Sequence, residues 1–117
     1  MPLSASYLFI VGLDVDPDKE ALLDEVYEQE HFPALLAVPG VVSGVRFETE
    51  DLPIMLGGRE QRLGDQMQPT YLAIYEIESP DVLLSEAWNK AGEAGRWVSE
   101  VRPHTRNRSL MVRKKLA

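Results

Sequence analysis

The chain has 117 residues, 44% hydrophobic and 26% charged, with no cysteine and a net charge of −7. That length makes one domain with one core, residues 1–117. Lack of cysteine excludes disulfides, thiolate metal sites and a cysteine nucleophile, and it is compatible with a reducing cytoplasm. A net acidic chain also lacks the basic footprint of a general nucleic-acid binder.

The first apolar run, Tyr7 to Leu13, is continuous and rich in β-formers, and reads as a strand covered on both faces. It has no basic segment before it and is too short for a signal-peptide core or a bilayer span. A soluble, unexported cytoplasmic protein is expected. Asp16, Pro17 and Asp18 then start a helix, with Asp16 as N-cap and Pro17 at the first helical position. Its apolar stripe is Leu22, Leu23, Val26 and Tyr27, with Glu30 or His31 next. Pro33 disfavours helical geometry at Phe32, so a break near His31 or Phe32 is expected, followed by a short turn to Val38 that Pro39-Gly40 stops.

A second strand runs from Val41 to Glu48, with Val41, Val45 and Phe47 on one face and Gly44, Arg46 and Glu48 on the other. Residues 52–69 read as a long loop, too apolar for a mere linker; it covers a pocket, meets a second subunit or is disordered. The third strand is Thr70 to Glu78. Ser79-Pro80-Asp81 repeats the helix-start chemistry, and the second helix stripe is Leu84, Ala87, Trp88, Ala91, Gly95 and Val98, weakened by a break near Gly92. Asn107 to Lys115 is the last strand. The basic residues from Arg96 onward are either a solvated surface or a patch that attracts an anionic ligand.

The order β-α-β-β-α-β is the split βαβ, ferredoxin-like arrangement, an α+β fold: a four-stranded antiparallel sheet with two helices on one face. Right-handed crossovers put the first and third strands in the centre and the second and fourth at the edges. Both faces of the central strands are apolar, yet two helices cover only one. A second copy, packed sheet to sheet about a two-fold axis, is the economical cover.

A helix carrying Tyr27-x-x-x-His31-x-Pro33, then Leu35-Leu36-x-Val38-Pro39-Gly40-Val41 and a strand with Arg46-Phe47, resembles the dimeric α/β-barrel superfamily, and within it EthD-like and stress-responsive barrel proteins. Tyr71 to Ile77 and the helix with Ala87-Trp88 fit the same pattern. The resemblance implies the fold and a homodimer. It leaves the activity open among cofactor-free oxygenases, isomerases, cyclases, haem-degrading enzymes and proteins without known activity.

His31 lies one turn after Tyr27, so the two share a helix face. If that face looks onto the sheet, His31 serves as acid or base beside a pocket with Tyr27 as helper; otherwise it bonds a carbonyl of the proline turn. Glu30 beside it is expected to be solvated. Arg46 either binds a carboxylate or enolate-like oxygen or is an edge charge paired to an acid. Tyr7, Tyr75, Trp88 and Trp97 either line an aromatic ligand site or are core. His104 reads as a loop residue. The two histidines form no compact metal motif, and there is no Gly-rich phosphate loop, nucleophile elbow or Walker-like lysine, so neither metal nor cofactor is expected. The expected partners are a second copy and a small organic ligand, with no nucleic acid and no membrane. The reading is a cofactor-independent enzyme on an apolar or aromatic molecule, or a non-catalytic binding or stress-associated protein.

Overall fold

The computed structural model describes residues 5–63 and 69–116. Strands β1 (Tyr7–Val15), β2 (Val41–Glu48), β5 (Tyr71–Ile77) and β6 (Thr105–Lys114) form one antiparallel sheet in the order β2-β5-β1-β6. The two strands that are apolar on both faces are therefore central, as the crossover rule requires. Alternation sorts their side chains. Val11, Leu13, Val15, Ala73, Tyr75 and Ile77 are buried beneath the helices. Leu8, Ile10, Leu72 and Ile74 point to the other face, where they are only half-buried.

The first helical layer is continuous where a break was expected. It comprises a short 3₁₀ turn at Pro17–Lys19, helix α1 (Glu20–Val26), a π-helical turn at Tyr27–His31 and helix α2 (Phe32–Leu36). Phe32 stays helical, and its N–H donates to the Tyr27 carbonyl five residues back. A proline ring normally collides with the carbonyl four residues before it. The wider π turn relieves that crowding, so Pro33 is accommodated by one irregular turn instead of ending the helix. The turn places Tyr27 and His31 side by side on the buried face.

Capping also departs from expectation. Asp16 does not cap with its side chain; its carboxylate pairs with Arg106 at 2.6 Å and lies 3.4 Å from His104 Nδ1. Pro80–Leu84 is a 3₁₀ turn that leaves Leu84 exposed. Helix α3 (Glu86–Gly92) starts from Ser85, whose Oγ accepts from the Trp88 N–H at 3.1 Å. Ser79 is one 3₁₀ turn too early. A second π turn, Trp97–Val101, buries Trp97 and Val101.

The segment expected to be a loop contains a hairpin, β3 (Pro53–Leu56) paired with β4 (Arg59–Arg62). Gly57 and Gly58 both take positive φ, as a two-residue hairpin turn demands. Gly64 to Gln68, part of that same expectation, lie outside the described residues.

Candidate functional site

Under α1 and α2 the aromatic residues form one connected cluster. His31 stacks on Trp97, with ring centres 4.4 Å apart and planes 19° from parallel. Tyr27 meets both rings edge-on, at 5.0 Å and 5.4 Å. Tyr75 reaches Phe32 at 5.6 Å and Trp88 at 5.7 Å, and Phe9 closes the set against Trp88 at 5.6 Å. The cluster does not fill its space. A cavity of about 160 Å³ remains, walled by Phe9, Tyr27, His31, Tyr75, Trp88 and Trp97, with Glu93, Arg102 and Arg108 among its polar lining.

The polar atoms around this cavity are unusual. Native proteins pair nearly all buried polar groups, and each exception calls for a reason. Among the described residues three buried side-chain atoms have no hydrogen-bond partner: His31 Nδ1, the Tyr75 hydroxyl and Arg102 Nε. All three residues line this one cavity. Tyr75 feels the Tyr27 hydroxyl electrostatically, but no well-formed hydrogen bond joins them.

Burial dominates the electrostatics. Desolvation, helped by the nearby positive charges of Arg102 and Arg108 and opposed by Glu93, lowers the His31 pKa to about 4. The imidazole is therefore neutral at pH 7. In either tautomer Nδ1 then has an unused hydrogen-bonding position. Burial pushes the Tyr27 and Tyr75 phenols up, so both stay protonated. Tyr71, outside the cavity, is pushed up to about 12 by burial and by its hydrogen bond to Glu20.

Of the residues singled out in the sequence, His31, Tyr27, Tyr75, Trp88 and Trp97 come together here. Arg46 and Tyr7 do not line this cavity. Arg46 donates to Glu28 at 2.7 Å and Asp24 at 3.0 Å, and its guanidinium carbon lies 4.7 Å over the Tyr27 ring. It braces α1 to β2, the pairing of an edge charge with acids. Tyr7 is half-buried against the core. Glu30 is not solvated freely: its carboxylate accepts from the Arg96 backbone N–H and Nε. Gly95, at φ +70°, makes this approach possible, since a Cβ there would come within 2.5 Å of Glu30 Oε1. Arg102 and Arg108 belong to the basic run from Arg96 onward, read in the sequence as a solvated surface or an anion-attracting patch, and both line the cavity. Glu93, just before that run, has no sequence signal.

No family model matches the sequence, and no curated protein sequence matches it. Among solved structures, an EthD family protein from Bacillus halodurans, whose name refers to ethyl tert-butyl ether, superposes over 94% of this chain and 99% of its own, with a TM-score of 0.59 and 13% identity. The chain has an EthD-like fold. At that identity the similarity speaks for architecture alone. Among the described residues no group of three or more His, Cys, Asp or Glu is placed to hold a metal ion, and no helix is long and apolar enough to cross a membrane.

Proposed function

We propose that this EthD-like protein works as a cytoplasmic homodimer that binds a small aromatic molecule beneath α1 and α2, and that His31 accepts a proton from it. The observation that carries the reading is an aromatic-walled cavity whose lining includes all three residues with an unpartnered buried polar atom. A filled core would leave neither the space nor the orphans. An engineered apolar cavity of about 150 Å³ holds benzene, so the size here suits a single ring. Neutral His31 is in the form a base needs.

A second reading, binding without turnover, is favoured by the depth of the His31 shift. A base with a pKa of about 4 has little proton affinity at pH 7. The dimer is supported by the uncovered sheet face. Val45 and Phe47 are 46% and 51% exposed there. A hollow of about 610 Å³ runs along the same face beside Ile10, Phe47, Leu72 and Met111. A contiguous apolar surface of this kind is unusual on a monomer.

Native mass spectrometry of the protein purified from cells, followed by His31→Ala, separates the readings. Retained ligand with lost turnover supports the base. Retained ligand with no turnover in either protein supports simple binding. A wild-type protein that takes up no aromatic molecule contradicts both.

A further inference from the structure

Strand β6 does not run straight past the cavity. Its register against β1 skips between the Gly12–Ser109 and Asp14–Arg106 pairs, so Asn107 and Arg108 together face Leu13. This is a β-bulge, a feature that re-aims a side chain. Asn107 sits at φ +54°, the one non-glycine residue with positive φ among those described. Asparagine tolerates that region better than most residues, but it still needs support. Asp14 supplies it. Asp14 Oδ2 accepts from Asn107 Nδ2 at 2.7 Å, while Oδ1 accepts from the Thr70 N–H at 2.6 Å. Partial burial works to raise the Asp14 pKa, but these hydrogen bonds outweigh it and hold the group ionised.

The consequence lies at Arg108. It lines the cavity from a solvent-exposed position and makes no ion pair with another described residue. Arg102 beside it is tied to Glu93 through Nη1 and Nη2, which leaves its buried Nε unpartnered. Two guanidinium groups thus face one carboxylate at the polar side of an aromatic cavity. An unpaired cation held there by a strained, hydrogen-bonded bulge has the form of an anion-recognition device.

We propose that the cavity selects a single-ring aromatic carboxylate, and that Arg108, aimed by the Asn107 bulge, is the residue that sets the preference. This rests on the ligand-cavity reading above. The ring packs against Trp97, Tyr27 and Trp88, and the carboxylate meets Arg108. The anion also offsets the positive charge that bears on His31.

Benzoate and benzamide differ in charge and hardly in shape, so they form the test. Binding is followed by calorimetry and by fluorescence of Trp88 and Trp97 at pH 7. Benzoate is expected to bind the wild type at least about tenfold more tightly than benzamide, as hydrogen bonds to charged groups imply. Arg108→Gln should lose that margin while benzamide affinity stays within about twofold. Asn107→Val, which cannot hold positive φ, should act like Arg108→Gln; Asn107→Gly should retain the preference. Circular dichroism confirms that each variant is folded. Equal affinity for the two probes, or an equal loss of both in Arg108→Gln, overturns the inference and leaves the cavity reading intact. Binding of neither probe overturns both.

Discussion

The imidazole of His31 lies face to face with the indole of Trp97, each contributed by a π-helical turn. A π turn costs regular hydrogen bonding and recurs at functional sites. Here two of them meet, and the pair forms one wall of a cavity lined by three residues that each keep a buried polar atom without a partner. An indole face attracts a cation by about 0.5–2 kcal/mol. Protonation of His31 is nevertheless disfavoured, because burial and the charges of Arg102 and Arg108 outweigh that attraction.

The first expected outcome concerns pH. In the unfolded chain His31 titrates near 6.5; in the fold it titrates at about 4. Between those values the unfolded chain binds more protons, so stability is full above about pH 6.5 and falls as pH drops towards 4. At ~1.4 kcal/mol per unit the loss amounts to about 3 kcal/mol. Urea unfolding at stepped pH should show this slope, and His31→Phe should flatten it. A His31 ring resonance titrating near 6.5 would contradict the buried, neutral state.

Packing between helix and sheet gives the second. A Cβ on Gly44 would lie 2.7 Å from Leu36 Cδ2 and 3.0 Å from Phe32 Cζ. The absent side chain lets α2 settle directly on β2. Gly44→Ala should destabilise the protein by about 1–3 kcal/mol through overpacking, read as a lower urea midpoint with an unchanged slope. Because Phe32 also touches Tyr75 across the site, ring binding in this variant should weaken too.

The third addresses the uncovered sheet face. Light scattering at micromolar concentration should give the mass of two chains, and Val45→Glu with Phe47→Glu should give one. Charges placed on a packed sheet face have no partner there and oppose association. Circular dichroism should be unchanged, since both side chains point away from the helices. A wild-type protein that scatters as one chain would remove the dimer.

Most of the architecture could be read from residue patterns, and the exceptions have physical causes. Two-sided apolar runs marked β1 and β5 as central, and Val41 to Glu48 matched β2 at both ends. The stripe of Leu22, Leu23, Val26 and Tyr27, with Glu30 or His31 next, named the helix face, on which Leu23, Val26, Tyr27 and His31 are buried and Leu22 and Glu30 half-buried. What misled was local chemistry with two outcomes. Ser79-Pro80-Asp81 and Ser85 both look like helix starts, and only packing chooses between them. Pro33 looks like a break, yet a π turn absorbs it. Gly57-Gly58 sits in a segment read as a long loop, because a strand as polar as Arg59–Arg62 shows no apolar alternation. At the site, Tyr27 and His31 follow from helical spacing. Arg102, in the turn after Trp97–Val101, and Arg108, on the β6 face that also carries Leu110, are far from them in sequence and join them only through the fold.

The proposed function depends on whether the space beside His31 and Trp97 receives a small aromatic molecule. The most direct measurement is a nuclear Overhauser experiment on isotope-labelled protein with benzoate or benzamide added. Saturable cross-peaks are expected from the ligand ring protons to Tyr27, His31 and Trp97. Cross-peaks confined to Ile10, Phe47 and Met111 on the opposite sheet face, or none that saturate, would contradict it.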